Sequence, residues 1–122
     1  MQLEANYFDS EVSKINLPTS LSVKALKAAM DSKNELVLLD VREPFELEIC
    51  AFPDSLHIPL GEIPNRLKEI PEDKPVVVVC HHGMRSANAI VYLHANGFDN
   101  LSNLEGGIHA WATEIDLEMM QY

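Results

Sequence analysis

Seven consecutive residues, Cys80-His81-His82-Gly83-Met84-Arg85-Ser86, bring together a thiol, two imidazoles, a guanidinium and a hydroxyl. A cysteine acts as a nucleophile through its thiolate, so the question is what surrounds the sulfur. Four β-branched residues, Val76 to Val79, precede Cys80, and a helix-forming stretch follows it. A cysteine placed between a strand end and a helix start meets converging backbone N–H groups and the positive end of the helix, which favour an anion. Arg85 adds positive charge, and Gly83 allows loop angles closed to other residues. The plain alternative is a small buried residue at a strand end. The strand before Cys80, the Gly three residues on and the Arg five residues on favour the nucleophile.

His81 and His82 titrate near neutral pH and can orient a donor or polarise an acceptor, or simply fill and expose the loop. Cys50, His57, His94 and His109 are further potential ligands, yet no spacing resembles a zinc ligand set, and no metal is expected. Cys50 reads either as a packed residue or as a second, resolving thiol.

The elements that must position Cys80 are legible as alternating helices and strands. Ser22 can cap a helix with Val23, Leu26 and Met30 on one face, running out near residues 32–34. Leu36 to Leu39 form an apolar run suited to a strand covered on both faces, ending at Asp40. Pro44 suits the first turn of a short helix through Leu47. Ser55 to Ile58 read as a short strand, residues 60–69 as a surface helix, and Pro71 to Pro75 as a break. Val76 to Val79 are the most strongly marked strand. Ser86 to Asn96 form a helix stopped by Gly97, Leu101 to Leu104 a last strand, and Ile108 to Glu114 a last helix. This order predicts an α/β fold whose site lies beyond the carboxyl ends of the strands, where Asp40-Val41-Arg42-Glu43 and the Cys80 loop both fall.

The 122 residues suffice for one core. A formal charge of −10 with no Lys/Arg cluster argues against nucleic acid or an anionic membrane as partner, and no apolar run is long enough to span a bilayer. The first residues show neither a basic leader nor an apolar centre, so a cytoplasmic location is expected, where thiols stay reduced.

From Leu36 to Trp111, about three fifths of the chain, the sequence resembles a rhodanese homology domain in the content and order of its motifs. Asp40-Val41-Arg42-Glu43-Pro44 resembles the family's first signature, His57-Ile58-Pro59-Leu60 its second, the Cys80 loop its active site, and Leu104-Glu105-Gly106-Gly107-Ile108-His109-Ala110-Trp111 its closing motif. The resemblance implies a rhodanese-like domain over residues 20–122, with a mainly parallel sheet of four to five strands and helices on both faces. Residues 1–19 would be an extension.

The resemblance also implies a sulfurtransferase without a cofactor. Cys80 would take a sulfane sulfur from thiosulfate or a protein persulfide and pass it to a thiol or a sulfur-carrier protein, in two covalent steps. His81, His82, Gly83, Met84, Arg85 and Ser86 would form the active-site loop, with Arg85 bracing it and facing an anionic donor. Asp40 and Arg42 would support the loop. The double histidine looks like that of rhodanese domains attached to sulfur-carrier activating enzymes. Cys50-Ala51-Phe52-Pro53 departs from the Gly-His common in relatives. Two other readings use the same fold. A docking or regulatory module has no need of the intact Cys, Gly and Arg, and cysteine phosphatases carry five residues between Cys and Arg where this chain has four.

Overall fold

The computed structural model describes residues 19–122. The extension expected over residues 1–19 therefore lies, apart from Thr19, outside the described residues. The elements are β1 (Ser20–Leu21), α1 (Val23–Asp31), β2 (Val37–Asp40), α2 (Pro44–Ile49), β3 (Leu56–His57), two 3-10 turns (Leu60–Asn65 and Leu67–Glu69), β4 (Val76–Val79), α3 (Met84–Ala95), β5 (Leu101–Leu104) and α4 (Gly107–Glu114). The five strands form one parallel sheet in the order β1-β5-β4-β2-β3.

Strand β4 lies at the centre because it can be buried on both faces. Val76 to Val79 are fully buried, and their side chains alternate between two cores. Val76 and Val78 join Leu39, Ile58, Ala89 and Leu93 beneath α3, whereas Val77 and Val79 join Leu26, Leu104, Ile108 and Trp111 beneath α1 and α4. Trp111 meets Phe52 edge-on, with ring centroids 4.9 Å apart. The alternation continues one residue past the strand, so Cys80 falls in the α3 core. Parity alone thus places its sulfur under the first turn of α3.

Three features depart from the sequence reading. Strand β1 has two residues, too few to leave a periodic pattern, and directly precedes the Ser22 cap, whose side chain accepts from Ala25 N–H at 3.0 Å. The surface helix expected over residues 60–69 is instead two 3-10 turns with Pro64 inside the first. Proline has no N–H to donate into an α-helical ladder, and Arg66 N–H bonds to Ile63 O three residues back. Helix α3 begins at Met84 rather than Ser86, so Arg85 and Ser86 belong to its first turn. Among the described residues no helix is long and apolar enough to cross a membrane.

Candidate active site

Cys80 lies at the carboxyl end of β4 with 1% of its surface exposed. Gly83 N–H donates to Sγ at 3.0 Å, from a residue at φ +111° that would strain any side chain other than glycine's. Ser86 Oγ is 3.3 Å from the same sulfur. The proton positions follow from neighbouring acceptors. Gly83 O can only accept, so the Asn103 amide turns its Nδ2 toward it at 3.1 Å and leaves Oδ1 to receive the Ser86 hydroxyl at 2.5 Å. With its one proton given to Asn103, Ser86 meets the Cys80 thiol as an acceptor.

The outside of the loop is held by α4. Ile108 N–H donates to Cys80 O at 2.9 Å and His109 N–H to His81 O at 3.0 Å, so the first turn of α4 uses donors that a helix cannot satisfy internally. This contact requires Gly107. A Cβ there would collide with the carbonyls of His81 and Cys80, the latter at 2.5 Å.

One ion pair ties the loop to α2, and a second lies at the end of β2. Arg85 forms a forked pair with Glu46, at 2.7 and 2.8 Å. The forked donors expected to face an anionic substrate are thus turned to a carboxylate on α2. The hydrogen bonds from Arg85 outweigh the opposing effect of burial and, with those from Glu43 N–H and Tyr122, hold the Glu46 carboxyl at about 2. Arg42, wholly buried, bonds Asp40 through Nε and Nη2, Cys50 O at 2.9 Å and Tyr122 Oη at 2.9 Å. Burial opposes its charge, yet Asp40 and Tyr122 hold its pKa above the ordinary arginine value. Tyr122 Oη in turn donates to Glu46 at 2.7 Å and so joins the two pairs. Burial pushes its hydroxyl up to about 12. The Tyr122 ring stacks on His81, 3.8 Å between centroids and 3° from parallel.

His81, His82 and His109 cluster at the loop, with ring centroids 4.0 to 5.8 Å apart. Burial, and then the neighbouring His82, lower the pKa of His81 below its ordinary value, favouring the neutral ring. Among the described residues its Nε2 and His109 Nδ1, both buried, have no hydrogen-bond partner. Among the described residues no group of three His, Cys, Asp or Glu side chains is placed to hold a metal ion. Met84 is largely exposed, at 73%. Cys50 is a free, half-buried thiol packed against the second core, and neither cysteine is bridged.

The sequence reading missed Glu46, Asn103 and Tyr122. The polar pair Ser102-Asn103 within the covered strand Leu101–Leu104 was the available signal for Asn103, because a polar group in such a strand needs a partner. Glu46 and Tyr122 left no comparable mark.

The depressed Glu46 pKa has a testable consequence. A carboxyl whose native pKa is lowered stabilises the fold above its ordinary value of 4.5 and loses that contribution as pH falls toward about 2. Wild type is expected to exceed Glu46→Gln by on the order of 2 kcal/mol at pH 7. Thermal unfolding at intervals between pH 7 and 3 should show the two curves approaching each other below pH 4.5. A constant difference would mean that the ionised carboxylate is not the stabilising species.

The chain is similar to known proteins over most of the described residues. A rhodanese-like domain model matches residues 22–114. The putative sulfurtransferase YtwF of Bacillus subtilis is 40% identical over 94 residues, 77% of this chain and 90% of that protein. The thiosulfate sulfurtransferase GlpE of Pseudomonas syringae is 40% identical over 85 residues, 70% of this chain and 80% of that protein. A crystal structure of a rhodanese-related protein from Thermoplasma volcanium superimposes with a TM-score of 0.72 at 36% identity, covering 80% of this chain and 94% of that one. Motif order, parallel sheet and matches over most of the described length converge, and the chain belongs to the rhodanese-like domain family.

Proposed function

We propose that the chain is a sulfurtransferase that carries the transferred sulfur as a persulfide on Cys80. The observation that carries this reading is the Cys80 sulfur itself, held at a strand end by the Gly83 N–H, beside Ser86 and under the first turn of α3. In the first half-reaction the Cys80 thiolate attacks the outer sulfur of a sulfane donor, thiosulfate or a persulfide. The donor's S–S bond breaks and its electron pair leaves on sulfite or on a thiolate. In the second, an acceptor thiolate or cyanide attacks the outer sulfur of Cys80–S–S⁻, and the Cys80 thiolate leaves. The sulfur keeps its oxidation level, so no external oxidant or reductant is needed.

Each neighbour has a part in this chemistry. Gly83 N–H stabilises negative charge on Cys80, and the Ser86 hydroxyl can turn from Asn103 to the sulfur when the thiol ionises. The neutral His81 ring suits proton exchange with an arriving or leaving thiol. The Asp40–Arg42 and Glu46–Arg85 pairs position the loop. A reducing compartment such as the cytosol keeps both cysteines available.

Steady-state kinetics with thiosulfate and cyanide test the two-step scheme. A covalent sulfur-carrying intermediate predicts parallel double-reciprocal lines when both are varied. Intersecting lines would contradict it.

A further inference from the structure

The charge and apolar character of the face around Cys80 point to a sulfur donor more specific than a small anion. Arg42 is the one Lys or Arg between Asp40 and Leu60, and Arg85 the one between Val79 and Tyr122. Both form ion pairs, with Asp40 and Glu46. The elements framing the sulfur therefore present no unpaired guanidinium or ammonium to a dianion such as thiosulfate. The same segments carry exposed acidic residues. Glu43 precedes α2, and Asp116 and Glu118 line a crevice of about 310 Å³ with Ile49, Cys50 and Met120.

The same face exposes large apolar side chains. Phe45 is 63% exposed, Met84 73% and Met120 64%. Each is a near sequence neighbour of one member of the hydrogen-bonded group already described. Glu46, flanked by Phe45, bonds Arg85, flanked by Met84, and Tyr122, two residues beyond Met120. Exposed apolar and acidic side chains carried on the elements that frame a buried sulfur are features of a protein-docking site.

Resting on the sulfur-transfer reading above, we propose that the face formed by Phe45, Met84, Met120 and Tyr122 docks a partner protein that presents its persulfide on a segment with apolar residues flanked by Lys or Arg. The partner's apolar residues cover the exposed side chains and its cations meet Glu43, Asp116 and Glu118. The Cys80 thiolate then attacks the outer sulfur of the partner's persulfide. The partner's cysteine leaves as a thiolate and Cys80 holds the persulfide.

The test compares rates of Cys80 sulfuration, followed by intact mass, for four donors. These are inorganic polysulfide, thiosulfate, and two cysteine-persulfide peptides of equal length and apolar content, one flanked by lysines and the other by glutamates. The proposal expects the lysine peptide to react about tenfold or more faster than the glutamate peptide and than thiosulfate, with the advantage over the glutamate peptide shrinking as NaCl is raised. It also expects Phe45→Ser to lower the lysine-peptide rate severalfold, taken as a ratio to the polysulfide rate so that a general loss of reactivity cancels. Equal rates for the two peptides, or a thiosulfate rate matching the lysine peptide, would overturn the docking surface and leave sulfur transfer standing. Failure of every donor, polysulfide included, to modify Cys80 would overturn the sulfur-transfer reading and the docking surface with it.

Discussion

Asp40→Ala is expected to destabilise the domain by about 3–5 kcal/mol, because it strands a fully buried guanidinium without its carboxylate. Arg42 would keep Tyr122 Oη and the carbonyls of Glu46 and Cys50 as partners. None of these carries a compensating charge. The loss is a large part of the roughly 5–15 kcal/mol that holds an ordinary domain folded. In a domain of this size each kcal/mol lowers Tm by several degrees, so a fall of about 15 °C or more is expected by calorimetry. The double variant Asp40→Leu/Arg42→Met should be less destabilised than Asp40→Ala, since removing both charges removes the buried, unpaired ion. A double variant as unstable as the single one would show that geometry, rather than uncompensated charge, sets the cost.

Gly107→Ala is expected to damage stability and chemistry together. The new methyl would collide with the carbonyls of Cys80 and His81, to which the next two N–H groups of α4 donate. Relief requires α4 or the loop to move, and strain with overpacking of this kind costs about 2–4 kcal/mol. Because the displaced atoms are the backbone of the proposed nucleophile, sulfur-transfer rate should fall by about tenfold or more even where the variant is folded, as small misplacements of reacting groups do. Gly61→Ala is the control, for a Cβ there meets nothing within 4 Å among the described residues. Melting temperature and thiosulfate–cyanide turnover measured side by side would separate the two effects. Full activity in a folded Gly107→Ala protein would remove α4 from the account of how the loop is positioned.

The sequence made some of this visible for definite reasons. Val76 to Val79 have one good solution, a strand buried on both faces, and that solution carries Cys80 to the carboxyl end of the sheet. Asp40 and Arg42 lie two residues apart, so their pairing is local. By contrast, Arg85 finds Glu46 at a separation of 39 residues, Tyr122 finds Glu46 at 76, and Ser86 finds Asn103 at 17. Periodicity reports which face of an element is covered and says nothing about which distant side chain covers it. The shift from a regular surface helix to 3-10 turns was legible in Pro64, whose missing donor the alternating charges of that segment obscured. The two-residue β1 exists because β5 offers it an edge, with Asn103 N–H donating to Thr19 O at 2.8 Å and Glu105 N–H to Leu21 O at 2.8 Å. That is a tertiary cause.

The central claim is that Cys80 holds the sulfur in transit. Intact-protein mass spectrometry after incubation with thiosulfate or polysulfide tests it most directly, with wild type, Cys50→Ala and Cys80→Ala treated in parallel and cyanide added afterwards. The account predicts a gain of one sulfur atom on wild type and Cys50→Ala, none on Cys80→Ala, and return to the starting mass with cyanide. A stable sulfur gain on Cys80→Ala equal to that of wild type, or none on any protein, would contradict it.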